Sequence, residues 1–210
     1  MRVRVKICGI TRAEDAALAV QLGADALGFV LWPGSPRTIG TDRARLIASD
    51  VPKPVTRVGV FVDPLPDDVA WLVESLSLDT IQLHGTEAVE AYEWIGAAIV
   101  KAVRLDSDQD IERAADLPEY VTPLVDASDR RMPGGTGLVA DWRRAARLAA
   151  RRPIMLAGGL VAANVAEAIR AVRPWAVDVS SGVEQYPGVK SPERMTQFFQ
   201  AVAGVSLEGT

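Results

Sequence analysis

Along the chain, short runs rich in Val, Ile and Leu alternate with longer segments whose apolar positions recur every three or four residues. The short runs predict strands at 2–8, 25–30, 55–62, 79–83, 98–103, 120–126, 153–157 and 175–180. The longer segments are alanine-rich and amphipathic, and they predict helices at 13–22, 41–49, 66–77, 86–95, 108–116, 141–151, 162–172 and 191–203. Each strand is followed by a helix. Such alternation implies parallel strands, since parallel neighbours need a crossover and helices supply it. Eight units in 210 residues fit a closed (β/α)8 barrel at the small end of its usual range. An open doubly wound sheet is the alternative. It would normally carry G-x-G-x-x-G after its first strand, and "CGITRAEDA" does not supply it. No linker or low-complexity tract interrupts the pattern, so one barrel domain over 1–210 is expected.

Composition narrows the partners. With 49% hydrophobic residues the chain can bury one sizeable core. Its formal net charge of -4 disfavours phosphate backbones and anionic lipid, so neither nucleic acid nor a membrane surface is an expected partner. No run of about twenty apolar residues could span a bilayer, and "MRVRVKICGI" lacks the apolar stretch of a signal peptide. One cysteine excludes an internal disulfide. A cytoplasmic protein is expected, monomeric by default, with a dimer left open.

The first strand carries a lysine and the sole cysteine in "VKICGIT". In a barrel strand alternate residues face the helices and the interior. Val3, Val5 and Ile7 share one parity; Arg4, Lys6 and Cys8 share the other and should face inward. Cys8 then falls at the C-terminal end of the strand, the active-site end of this fold. By itself a lone cysteine reads as a small buried hydrophobe before it reads as a catalytic group.

Asp126 ends the sixth strand in "VTPLVDASD" and leads into "RRMPGGTG", where Gly134, Gly135 and Gly137 permit a tight turn or a flap. As a strand-end aspartate it could also be a turn residue or a helix cap. Asp178, in the eighth strand, shares an inward parity with Ala176 and Ser180. A buried carboxylate there needs a partner, and Lys6 on the adjacent strand of a closed barrel is a candidate. "LAGGLVAANV" and "DVSSGVE" follow the seventh and eighth strands. Gly158, Gly159, Ser180, Ser181 and Gly182 there could bring backbone N–H groups and hydroxyls to a phosphate, helped by a short helix starting near Ser181. Loops after these two strands are the usual phosphate site of the architecture.

Arg37 lies in the stiff loop "LWPGSPRTI" and could clamp a carboxylate bidentately, or be a plain surface arginine. His84, with no second His or Cys nearby, reads as a structural histidine rather than a metal ligand. The arginine-rich segment "DWRRAARLAARR" reads as a solvated barrel exterior, with a basic docking face as the lesser reading.

"VKICGIT", "GFVLWPGSPR", "GVFVD", "IQLHG", "VDASD" with "GGTG", "LAGGL" and "VDVSSGVE" together resemble the phosphoribosylanthranilate isomerase family of tryptophan biosynthesis, over nearly the whole chain. The resemblance implies a (β/α)8 barrel that converts N-(5-phosphoribosyl)anthranilate to its open-chain deoxyribulose isomer by an Amadori rearrangement. It implies no metal and no organic cofactor. Carried over by motif, Cys8 is the general base, Asp126 the general acid, and Arg37 the holder of the anthranilate part. Gly158 and Gly159 with Ser180, Ser181 and Gly182 form the phosphate cradle, and Asp178 lines the pocket. "GVKSPERM" departs from the family pattern, in which an aspartate is expected after Lys190; Ser191 can still cap the last helix, with Pro192 at its first position.

The chemistry suits the residues. Ring opening needs a proton delivered to the ring oxygen, and the resulting imine must lose the sugar's C2 proton. Other phosphate-binding barrels, such as indole-glycerol-phosphate synthase or ribulose-phosphate epimerase, would share the cradle but lack the Cys8 and Asp126 pair. A scaffold descendant would keep the fold without the chemistry.

Overall fold

The computed structural model describes residues 2–126 and 142–205. Eight parallel strands close into a barrel in chain order. They are β1 (Arg4–Cys8), β2 (Ala26–Val30), β3 (Thr56–Phe61), β4 (Thr80–Leu83), β5 (Ala98–Val103), β6 (Val121–Asp126), β7 (Met155–Ala157) and β8 (Ala176–Val179). Around them lie α1 (Ala13–Gln21), α2 (Thr41–Ser49), α3 (Pro66–Leu76), α4 (Asp108–Ala115), α5 (Trp142–Ala149), α6 (Val165–Val172) and α7 (Pro192–Ala203). The β8 strand pairs back onto β1, which closes the sheet and removes the open-sheet alternative.

Parity along β1 follows the expected division. Val3, Val5 and Ile7 join the apolar layer between sheet and helices, with Leu27, Phe29 and Val177 from the neighbouring strands. The helices meet them with Ala16, Ala19, Ile169 and Phe198. Each fully buried Ile, Leu or Phe contributes roughly 1.5–3 kcal/mol, so this outer layer dominates the stability of the fold. Inside the barrel Val100, Leu124, Met155, Ala157 and Ala176 form a smaller apolar cluster. Lys6, Gln82 and Asp178 are buried polar residues.

Local signals fix several element ends. Ser107 and Asp110 form a reciprocal capping box on α4. Ser191 caps α7 through Arg194 N, and Pro192 occupies the first helical position. The helix expected at 86–95 is a 3-10 helix, Val89–Ile95. Its buried residues Val89 and Tyr92 are three apart, the spacing that a three-residue turn places on one face.

After β8 the expected short helix is only a single 3-10 turn, Ser181–Val183. The chain then forms an antiparallel hairpin, β9 (Glu184–Tyr186) and β10 (Val189–Lys190), which the sequence pattern did not announce. Gly188, at φ +82, makes its tight turn, and the Gly188 N–H donates to Glu184 Oε1 at 3.2 Å.

The arginines of the α5 region are engaged within the molecule. Arg147 pairs with Asp108 and Arg151 with Glu112. Arg152 donates to a set of backbone carbonyls that includes Leu117 and Val121, tying α5 to the segment that enters β6. These contacts favour the barrel-exterior reading over a docking face. Among the described residues no helix is long and apolar enough to cross a membrane. At the strand starts a cavity of about 750 Å³ opens between residues including Arg4, Thr56, Thr122 and Trp175. That end of the fold serves stability, and the groups described next lie at the other end.

Candidate active site

Cys8 ends β1 and Asp126 ends β6, three strands apart around the barrel, so both stand at its C-terminal mouth. Cys8 is buried. Burial pushes its thiol up; the Lys6 ammonium pulls the other way, and the Asp178 carboxylate adds to the rise. The resting group is therefore a neutral thiol.

Lys6 lies one inward position below Cys8 and opposite Asp178 on β8, and its Nζ donates to Asp178 Oδ1 at 2.9 Å. Burial alone would depress the Lys6 ammonium, but Asp178 and then Cys8 outweigh that and hold it above its ordinary value. The partner expected for Asp178 is thus in place.

Asp126 is half-buried, and its Oδ2 lies 3.8 Å from His84 Nε2 at the end of β4. Gln82 Nε2 lies 3.0 Å from His84 Nδ1. If the Gln82 amide donates to Nδ1, the imidazole proton sits on Nε2, facing Asp126. Gln82 Oε1 is buried without a partner among the described residues. The loop after His84 is held by Glu87, which accepts from Gly85 N and from Lys101 Nζ. Read from sequence as structural, His84 is instead a neighbour of the candidate acid. The loop 127–137, with Gly134, Gly135 and Gly137, lies outside the described residues.

Arg37 binds a carboxylate, and here it is the protein's own. Its Nε donates to Glu184 Oε1 at 2.9 Å and its Nη2 to Glu184 Oε2 at 2.7 Å. Lys190, fully buried, donates from Nζ to Glu184 Oε1 at 3.0 Å and to the carbonyls of Cys8 and Ser180. Burial would raise the Glu184 carboxyl, but Arg37 and Lys190 together hold it below the usual carboxylate value. Burial depresses the Lys190 ammonium, which Glu184 only partly offsets. One buried lysine thus ties the end of β1 to the end of β8 and to the arginine clamp. Glu184 fixes one edge of the guanidinium; its planar fork has further N–H donors for a ligand.

Two glycines make this crowding feasible. A Cβ on Gly9 would stand 2.8 Å from Arg37 Cδ and 3.1 Å from Ser180 Oγ. On Gly182 it would stand 1.9 Å from the Leu160 carbonyl oxygen, so the loops after β7 and β8 meet there. Gly158 and Gly159 have φ +88 and +64, and Asn164 braces their loop by donating to Gly159 O and accepting from Val161 N. Ser180 Oγ is buried without a partner among the described residues. Gly158, Gly159, Ser180, Ser181 and Gly182 therefore lie in the two touching segments after β7 and β8, with the Ser180 hydroxyl unpaired among the described residues.

Sequence reasoning passed over Glu184 and Lys190, which become visible only once the hairpin folds under the mouth. It also passed over Gly28, although a glycine inside a strand signals close approach by another group.

A closed parallel barrel with these groups at its C-terminal mouth defines the class: a (β/α)8-barrel enzyme. The model of the family "N-(5'phosphoribosyl)anthranilate (PRA) isomerase" matches residues 5–201. The chain is 48% identical over 206 residues to the N-(5'-phosphoribosyl)anthranilate isomerase of Chromohalobacter salexigens, covering 96% of this chain and 95% of that protein. It superposes on the phosphoribosyl anthranilate isomerase of Thermotoga maritima with a TM-score of 0.89 at 41% identity, covering 97% of this chain and 100% of that one. A further such isomerase, solved with reduced 1-(o-carboxyphenylamino)-1-deoxyribulose 5-phosphate, gives a TM-score of 0.86 at 40% identity, with the same coverage. The chain belongs to the N-(5'-phosphoribosyl)anthranilate isomerase family.

Proposed function

We propose that this protein isomerises N-(5'-phosphoribosyl)anthranilate to 1-(2-carboxyphenylamino)-1-deoxyribulose 5-phosphate, with Asp126 as general acid and Cys8 as general base. Asp126 gives its proton to the furanose ring oxygen as the C1–O bond breaks, and the anthranilate nitrogen lone pair forms the imine. The Cys8 thiolate then takes the C2 proton, leaving an enolamine whose tautomer is the ketone product. A protonated carboxyl beside a thiolate is a minority arrangement for isolated groups at neutral pH, so the barrel must bias both groups.

The observation that carries this reading is the placement of Cys8 and Asp126 at the mouth ends of β1 and β6. Arg37 meets the anthranilate carboxylate, Asp178 lines the floor, and Gly158, Gly159, Ser180, Ser181 and Gly182 hold the phosphate. The unpaired Ser180 hydroxyl favours an acceptor ligand there. The relative solved with a reduced phosphorylated product analogue supports a ligand of this class.

Freshly prepared phosphoribosylanthranilate given to the purified protein should lose its anthranilate-type fluorescence at a rate proportional to enzyme concentration. No loss at any enzyme concentration would remove this function.

A further inference from the structure

Gly28 stands beside Cys8 in the register of β1 and β2. A Cβ there would lie 2.9 Å from Cys8 Sγ and 3.1 Å from Lys6 Cε. The thiol and the end of the lysine chain therefore share the space that a side chain on β2 would fill. Lys6 is also anchored to Asp178 at 2.9 Å and is 1% exposed, so its ammonium cannot swing to solvent.

We propose that Lys6 is a positioning residue for the thiol: held by Asp178 and admitted by Gly28, it stabilises the Cys8 thiolate at the moment the base is needed. This rests on the reading of Cys8 as base, but it concerns a property that can be measured without substrate. Asp178 is the first counter-ion of the buried Lys6 ammonium, and the Cys8 thiolate, once formed, is a second that keeps it charged. The same carboxylate opposes the thiolate. The two partners of the pair thus act on Cys8 with opposite signs, and Lys6 acts more strongly than Asp178.

The other charges around the thiol act on it less than Lys6 or stand elsewhere. Lys190, from β10, also pulls the thiol down but ranks below Lys6, and its ammonium is held on Glu184 and two carbonyls. Arg37, whose Cδ packs over Gly9, is bound to Glu184. Asp126 and His84 belong to β6 and the end of β4, across the mouth. From β2 only Gly28 is in register with Cys8, and it carries no charge.

The single cysteine makes the test clean, because thiolate absorbance near 240 nm, after subtraction of a Cys8→Ser blank, reports one group. The thiol should titrate at higher pH in Lys6→Met and at lower pH in Asp178→Asn than in the parent. Below the thiol's midpoint, thiolate content in Lys6→Met should be about tenfold lower for every pH unit that separates its midpoint from the parent's, with kcat falling in step. Lys6→Met leaves a buried carboxylate unpaired, so Lys6→Met/Asp178→Asn supplies a folded neutral pair, and its thiol should also titrate above the parent. A purely structural role would move the two single variants the same way. Titration at one common pH, or an upward movement in Asp178→Asn, overturns the proposal even if Cys8 proves not to be the base.

Discussion

His84 and Asp126 face each other across the mouth of the barrel, with imidazole Nε2 and carboxylate Oδ2 3.8 Å apart. The imidazole is itself oriented by Gln82 at 3.0 Å. On the reading of Asp126 as the acid, the imidazole edge, too far for a hydrogen bond, acts on the carboxylate as a nearby dipole once the proton has left. His84→Ala should therefore lower kcat by about tenfold, less than the ~10²-fold or greater loss expected of Asp126→Asn. Steady-state turnover of both variants checks the order, and an unchanged kcat in His84→Ala would mean that the contact is incidental.

Arg37→Ala should mainly weaken binding. The clamp is remote from the bonds that change, and Glu184 keeps Lys190 as a partner when the guanidinium is lost. KM should rise about tenfold or more, with kcat changed less. An analogue without the anthranilate carboxylate should bind the parent and Arg37→Ala equally well in a competition assay. A clear preference for the parent would assign Arg37 a different role.

The phosphate cradle can be tested at Gly159. A Cβ there meets nothing within 4 Å, so a longer side chain would enter open space rather than the core. The positive φ of +64 adds a strain of about 1–2 kcal/mol, which the barrel should tolerate. Gly159→Glu would place volume and negative charge where the dianion is expected, and affinity for phosphorylated ligand should fall at least ~10²-fold. Inorganic phosphate, titrated at constant ionic strength, should compete with substrate in the parent and lose that effect in Gly159→Glu. Equal inhibition of both would place the phosphate elsewhere.

Glu184 makes a prediction about pH and stability. Its folded carboxyl lies below the usual carboxylate value because Arg37 and Lys190 outweigh the effect of burial. A group depressed in this way contributes stability above its unfolded pKa of about 4.3 and loses it as pH falls through the lower folded value. The Tm difference between the parent and Glu184→Gln should therefore be flat from about pH 7 to pH 5 and should shrink below about pH 4. A difference that stays constant to pH 3 would show that the ion cluster adds nothing through charge.

The sequence made legible whatever depends on local period and on strand order. Alternation placed Lys6 and Cys8 on one face of β1, and the barrel then determined which end of that face is the mouth. Asp126 followed by the same logic, and the segments after β7 and β8 stood out because small residues cluster there. What escaped depends on contacts between distant segments. His84 is a lone histidine until β6 brings Asp126 beside it. Glu184 and Lys190 look like ordinary loop charges until the chain after β8 forms a hairpin beneath Arg37. Arg37 itself was readable as a carboxylate binder, yet its resting carboxylate belongs to the protein. Only Gly28 offered a local signal, a glycine inside a strand.

The central claim is that Cys8 takes the C2 proton. Its most direct test is single-turnover conversion of phosphoribosylanthranilate by the Cys8→Ser protein, followed by fluorescence beside the parent under saturating enzyme. Serine keeps the shape of the side chain but holds its proton far more tightly, so the fold and substrate affinity should persist while the rate falls by at least ~10²-fold. Turnover near the parental rate would contradict the claim and require another base.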